Sequence, residues 1–489
     1  AYIRSRFTPD TTPGPGEDGE IVTVAEGQLQ GTINDGIYRY LGVPYAEAAE
    51  RFVTAGPVTP WEGVLKADSY GPMSPQGSML GFGAGNQDGT DNNCQNLNIW
   101  TPGLNDGGLR PVLVWLHGGG FSTGTANDSS YDGEALAKNG DVVVVSVNHR
   151  LNVFGYLDLS AYDEKYKDSA NVGMWDIIAA LEWIQQNIEV FGGDPDNVIV
   201  FGQSGGGAKV LGLMSTPYAV GLFHKGIVES GVTETVGVNF TSQEASTRLA
   251  ENLLAELNIA PENIEQLQIV AVDKLQSAAT KALDATAQEF QIPAPLTDGY
   301  QMEWEPVVDG DFLPTSPVTE TNFADAGQDI PLLIGSNLNE WTGFYRTSTD
   351  GVDTDALSAA LKTAYPDKTD LTADHVDTLI RLPILKTMSH KADQNGAPVY
   401  AYLLTYGSSN HGAEIPYIFR HSDVSAMNDL FSSIWVNFAR SGIPSADSLP
   451  TWEAYTREGG ATMLLDTTST LVYHHDDALL KLLVPDYEY

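Results

Sequence analysis

Three runs constrain the fold more than anything else in the chain: "PVLVWLHGGG" from Pro111, "DVVVVSVNHR" from Asp141 and "NVIVFGQSGGG" from Asn197. None alternates apolar with polar residues as a half-exposed strand does. Near-continuous apolar runs of this length, ending in glycine or polar residues, are what parallel strands covered on both faces require. Between the second and third lies "MWDIIAALEWIQQNI", with apolar residues at helical spacing from Ile177 and Ile178 through Leu181 to Ile184 and Ile188. Downstream, "EASTRLAENLLAEL" and "DLFSSIWVNFARSG" read as helices, the latter closed by Gly442, and "IPLLIGSN" and "APVYAYLLTYG" read as strands. The expected fold class is α/β: a large central, mostly parallel but mixed, twisted sheet flanked by helices, with helical insertions. The least regular stretch, about Ser277 to Trp304, is expected to be such a helical insertion over the sheet.

No internal repeat and no interdomain linker interrupts this pattern, so residues 21–489 are read as one large domain. The opening "TPDTTPGPGEDGE" is rich in Pro, Gly and acid without periodicity, and residues 1–20 are expected to form a flexible, solvated arm. The chain starts at Ala1 rather than Met, as after removal of a signal peptide on export or after trimming of a longer chain.

Charge and cysteine content exclude several classes of function. With 25 basic and 64 acidic residues the net charge is −39, which repels nucleic acid and anionic membranes. No apolar run approaches the roughly 18–20 residues of a membrane-spanning helix. Cys94 is the single cysteine, so a disulfide framework within the chain is impossible. The expected partner is a small molecule, and the expected assembly a monomer or a homodimer.

The glycine-rich end of the third run has two readings. A phosphate-binding loop needs G-x-x-x-x-G-K-[ST]. Gly202 and Gly207 have that separation, but Ala208 stands where the lysine belongs and Lys209 comes one place late. One residue on a helix turns the side chain by about 100°, so this reading fails and Lys209 is left as an ordinary helix residue without a task. The other reading fits: Gly202-Gln203-Ser204-Gly205-Gly206 is G-x-S-x-G between a strand and a helix, the turn that presents a nucleophilic serine. The loop "HGGGF" from His117, directly after the strand "VLVWL", suits a second task. Acyl transfer passes through an oxyanion, and glycines can aim bare N–H groups at it.

A base and an acid must then follow Ser204. His411 in "YGSSNHGAE" and Glu340 in "GSNLNEW" both come just after predicted strands. His421 and Asp309 are the nearest competitors from spacing alone, although the Asp-Gly pair at Asp309 more often marks a turn. His474 and His475 lie in an acidic C-terminal segment and are expected at the surface.

These motifs carry a resemblance. From "YLGVPYAEAAERF" through "NCQNLNIWTP", "VLVWLHGGGF", "VNHRLNVFGYL" and "GGDPDNVIVFGQSGGG" to "HGAEIPYIF" and "WVNFARSGIP", the chain resembles the type-B carboxylesterases over nearly its whole length. That family includes bacterial para-nitrobenzyl esterases, liver carboxylesterases and cholinesterases. The resemblance implies an α/β-hydrolase fold and hydrolysis of neutral or apolar esters through an acyl-enzyme. It implies Ser204 as nucleophile, His411 as base, Glu340 as the acid that orients it, and Gly119, Gly120 and Gly205 as oxyanion donors. It implies no metal and no cofactor.

Departures from the family pattern carry information too. The usual Gly-Glu-Ser-Ala-Gly has become Gly-Gln-Ser-Gly-Gly, so Gln203 removes a carboxylate beside Ser204 and Gly205 is expected to loosen one oxyanion donor. Asn92 and Asn93 replace the acids that would pair with Arg51. No Trp lies between Trp61 and Trp100, where cholinesterases carry their choline-stacking indole, which disfavours choline esters. Competing readings keep the chemistry on an amide, carbamate or thioester, or make the chain a non-catalytic binding module. The retained Ser204, Glu340, His411 and Gly118–Gly120 oppose the last.

Overall fold

The computed structural model describes residues 16–80 and 86–489. Its frame is a 13-stranded mixed sheet. Twelve of the strands form a continuous path and are labelled in chain order. These are β1 (Glu17–Val24), β2 (Gly27–Asn34), β3 (Ile37–Pro44), β4 (Asn96–Thr101), β5 (Arg110–Leu116) and β6 (Val143–Val147). Next come β7 (Gly193–Gln203), β8 (Lys225–Glu229), β9 (Leu332–Asn337), β10 (Val399–Leu404), β11 (Ala461–Leu465) and β12 (Thr470–Tyr473). The spatial order is β1-β2-β3-β4-β6-β5-β7-β8-β9-β10-β11-β12, with Val64–Lys66 beside β2. From β6 to β11 every neighbouring pair is parallel, and both edges are antiparallel.

The continuous apolar runs are explained by cover on both faces. Along β5, Val112, Val114 and Leu116 point into one core and Leu113 and Trp115 into the other, all with no exposed surface. Seven of the helices are α1 (Glu134–Gly140), α2 (Val172–Asn187), α3 (Gly205–Leu213), α4 (Gln243–Leu257), α5 (Val272–Phe290), α6 (Arg381–Asp393) and α7 (Ser425–Ser441). α1 and α7 cover one face, through Leu136, Phe431 and Trp435 among others. α2, α3 and α6 cover the opposite face, through Ile184, Val210 and Leu385. α7 ends where expected, with Gly442 in the left-handed region at φ 74° and its N–H bonded to the Phe438 carbonyl. None of the helices among the described residues is long and apolar enough to cross a membrane.

Two expectations shift. Glu17–Glu20 belong to β1, paired with β2, so the ordered fold reaches into the segment assigned to the arm, and residues 1–15 lie outside the described residues. The stretch from Ser277 to Trp304, expected to be a helical insertion, is helical only in its first part. Its first part continues the 19-residue helix α5, which packs its alanine-rich face on α4, and only the part after Gln291 is non-helical.

The turn after β6 is held by an ion pair with no exposed surface. Arg150 donates through Nη2 and Nε to Asp176 of α2 at 2.7 and 2.9 Å, and its backbone N–H to the same carboxylate at 3.0 Å. Gln95, at the approach to β4, adds a fourth bond at 3.1 Å. Removing one partner of a buried pair strands the other charge, at a cost of about 3–5 kcal/mol. Asp176→Ala is therefore expected to lower unfolding free energy by about that amount, read from the denaturant midpoint.

Candidate active site

Four neighbouring parallel strands, β7 to β10, end at one edge of the sheet. Each delivers a side chain just past its carboxyl end, the crevice where open α/β sheets build their sites. Ser204 follows β7, Ser230 follows β8, Glu340 follows β9 and His411 follows β10. Register aligns them: Gln203 faces Glu229, Glu229 faces Gly335, and Asn337 faces Leu404. The loop strands after β9 and β10 stay paired beyond the sheet, through the Glu340–Asn410 bridge and the His411 N–H to Glu340 carbonyl bond at 3.0 Å.

Ser204 sits at φ 57°, ψ −126°, between β7 and α3. A non-glycine residue held at such a φ stores about 1–3 kcal/mol of strain, which the surrounding register sustains. His411 Nδ1 and Glu340 Oε2 are 2.6 Å apart, and the Trp341 ring stacks on the imidazole with centroids 4.4 Å apart. Glu340 is almost fully buried. Burial pushes its carboxyl up, while the Ser230 hydroxyl and the Asn337 N–H, each donating to Oε1 at 2.6 Å, pull the other way.

The two competitors lie elsewhere. The Asp309 carboxylate closes a turn by accepting from the Asp311 and Leu313 N–H groups, and it also accepts from the Asn171 amide. His421 packs beside Phe419, outside the residues lining the cleft. Of the C-terminal histidines, His474 is exposed, but the His475 side chain is mostly buried beside Asp476, against the surface expectation for both.

The glycine loop lies against the serine turn because Leu116 of β5 is in register with Gly202 of β7. Gly119 and Gly120 have φ of 90° and 59°, left-handed values that favour glycine. Gly205 is also constrained, but by space. A Cβ there would overlap the Gly120 carbonyl more closely than real Cβ contacts allow. The missing side chain at Gly205 lets the two loops close on each other. Gln203 is buried next to Glu229 in the register, and Glu229 lies near Glu414, so the neutral amide spares an acid-rich pocket another charge. Arg51, lacking its family partners, donates to the Leu267 and Val270 carbonyls instead.

Ser204, His411 and Trp341 line a cleft of two adjoining lobes, about 920 and 910 Å³ measured with their open mouths. One lobe is walled by Phe121, Val232, Val236 and Ile292, the other by Tyr131, Phe344 and Ile415. Glu303 and Glu305 face the first lobe. Burial pushes the Glu303 carboxyl up to about 7, and that of Glu305 well above the ordinary range. Among the described residues no cluster of three or more His, Cys, Asp or Glu side chains is arranged to hold a metal ion.

Sequence reasoning missed Ser230 and Lys209. Ser230 follows a strand end as the other site residues do, which was its one available signal. Lys209 has no exposed surface and donates to the His117 and Gly120 carbonyls at 2.9 and 2.8 Å, so it is not an ordinary helix residue. Its near-miss to a phosphate-loop lysine hid the fact that a buried lysine needs partners.

A serine at a strained strand–helix turn, a buried carboxylate–imidazole pair on adjacent strand ends and a glycine loop alongside define a serine hydrolase of the α/β-hydrolase fold. Comparison with known proteins narrows the class. The carboxylesterase family pattern matches residues 18–373 and 356–479. The para-nitrobenzyl esterase of Bacillus subtilis (strain 168) is 33% identical over 92% of this chain and 96% of its own. The liver carboxylesterase of Sus scrofa is 31% identical over 86% and 84%. A solved esterase from Clostridium hathewayi, described as hydrolysing aliphatic aromatic polyesters, superposes with a TM-score of 0.82 at 33% identity, covering 98% of this chain and 99% of that one. The chain belongs to the carboxylesterase family and is a carboxylic ester hydrolase.

Two variants test the site's construction. Ser230→Ala removes a donor that favours ionised Glu340, so the carboxyl pKa rises and the carboxylate that accepts from neutral His411 forms only at higher pH. The ascending limb of kcat/KM against pH is expected to move to higher pH, with the descending limb unmoved. Gly205→Ala forces Gly120 away and is expected to lower kcat by about 10²–10³, the usual cost of one oxyanion donor, measured by steady-state kinetics on a p-nitrophenyl ester.

Proposed function

We propose that Ser204 is the nucleophile, His411 the general base and Glu340 the acid that orients it, with the N–H groups of Gly119, Gly120 and Gly205 as the oxyanion hole. The observation that carries this reading is the 2.6 Å contact between His411 Nδ1 and a buried Glu340 carboxylate, on the cleft that Ser204 also lines. With Nδ1–H donated to Glu340, Nε2 is the basic nitrogen. It takes the Ser204 proton as Oγ attacks the ester carbonyl, the oxyanion collapses, and His411 protonates the departing alcohol. Water activated by the same nitrogen then hydrolyses the acyl-enzyme and releases the acid.

The substrates are uncharged, largely apolar esters with short-to-medium acyl groups. Both lobes are walled mainly by apolar and aromatic side chains, among the described residues no lysine or arginine lines either one, and burial favours the uncharged form of the two carboxyls at the first lobe, so an anion finds no countercharge there. The overall charge of −39 acts in the same direction, although salt screens it beyond about 8 Å. Hydrolysis of matched p-nitrophenyl esters, one neutral and one with an anionic acyl chain, checks the reading. The neutral ester is expected to have the higher kcat/KM, and Ser204→Ala is expected to fall to background on both. Faster turnover of the anionic ester contradicts the substrate assignment, and full turnover in Ser204→Ala contradicts the mechanism.

A further inference from the structure

Lys209 is an expensive residue to bury. It has no exposed surface, no carboxylate among the described residues pairs with it, and the titratable groups facing it are His117 and His149. Both imidazoles are held neutral: burial lowers His117 to about 3 and His149 well below its ordinary value. The partners of the Lys209 amine are the His117 carbonyl at 2.9 Å, the Gly120 carbonyl at 2.8 Å and the face of Phe121, 5.2 Å from the ring centroid. All three belong to the glycine loop.

The loop's remaining carbonyls are tied as well. The His117 ring donates through Nδ1 to the Gly118 carbonyl at 2.8 Å, and the Ser122 and Thr123 N–H groups donate to the Gly119 carbonyl at 3.2 and 3.1 Å. In a trans peptide the carbonyl of one residue and the N–H of the next share a plane and point oppositely. Pinning the Gly118 carbonyl therefore aims the Gly119 N–H, and pinning the Gly119 carbonyl aims the Gly120 N–H. Lys209 clamps the peptide units on both flanks of this pair. Moreover, the carbonyl it draws toward α3 is the one that a Cβ at residue 205 would overlap.

We propose that Lys209 is the positioning residue of the oxyanion hole, bridging the His117 and Gly120 carbonyls from behind, and that this clamp is why residue 205 must be glycine. The inference rests on the assignment of Gly119, Gly120 and Gly205 as oxyanion donors. Burial lowers the lysine pKa to about 7. The neutral amine retains two N–H bonds, one for each carbonyl, so the clamp does not depend on the charge.

The test uses Lys209→Met, which keeps the length and volume, and Lys209→Gln, which keeps amide donors, in the full chain. kcat and KM are measured on p-nitrophenyl acetate, together with inhibition by an aryl trifluoromethyl ketone that forms a tetrahedral adduct. Lys209→Met is expected to lower kcat about 10–100-fold, somewhat less than loss of a donor itself. KM should stay within about twofold, ketone affinity should fall in step with kcat, and Lys209→Gln should recover part of the loss. Gly205→Ala should cost less in the Lys209→Met background than alone, because the Gly120 carbonyl is then free to move away. If Lys209→Met does not fold, Lys209→Gln carries the test through the same paired fall in kcat and ketone affinity. A kcat within twofold of the parent, a fall in kcat without weaker ketone binding, or full additivity with Gly205→Ala overturns the proposal. Ser204→Ala separates the two levels: activity in that variant refutes the nucleophile, whereas an inactive Ser204→Ala beside an unimpaired Lys209→Met refutes the clamp alone.

Discussion

Everything at the candidate site depends on parallel register. Because β5 and β7 to β10 run the same way, their carboxyl ends rise at one edge, and neighbouring strands in a sheet lie about 4.8 Å apart. Residues distant in sequence are thereby brought within reach of one another without long side chains. A one-residue slip in any of these strands would turn its side chains to the opposite face. The two buried cores guard against that slip, since alternate residues of β5 are committed to different sides.

Upon that frame the chain places unusually costly groups. Arg150 and Asp176 compensate each other in full, with the backbone and Gln95 completing the set. Glu340 is buried with donors from β8 and β9 and with the imidazole beyond β10. Lys209 has only carbonyls and a ring. In each case a polar group taken from water is balanced by bonds that fix a turn at the end of a central strand.

Much of this was legible from residue patterns, and the reasons are physical. The sheet's interior announced itself because strands buried on both faces have no choice but continuous apolar runs. Ser204, Glu340 and His411 each follow such a run by a few residues, which made them candidates beside His421 and Asp309, and it was the family resemblance that singled them out. The helix expected from about Ser277 begins earlier, at Val272, and ends at Phe290, where Gln291 takes the left-handed conformation. The surroundings of Gly205 and Lys209 stayed hidden for one shared reason. Their roles lie in contact with a loop that precedes them by many residues, and no local pattern encodes that contact. Ser230 was hidden similarly, since a serine after a strand has many bland uses until its neighbour is known.

The central claim is that the strand ends and the glycine loop form one prearranged site for an acyl-transfer oxyanion. The most direct measurement is a crystal structure of the protein after reaction with a p-nitrophenyl phosphonate, whose tetrahedral adduct imitates that species. The account predicts a single covalent bond from Ser204 Oγ to phosphorus. It places the phosphoryl oxygen about 2.7–3.1 Å from the N–H nitrogens of Gly119, Gly120 and Gly205, with His411 still bonded to Glu340. An adduct on another residue, or a phosphoryl oxygen turned toward solvent away from those three groups, would contradict it.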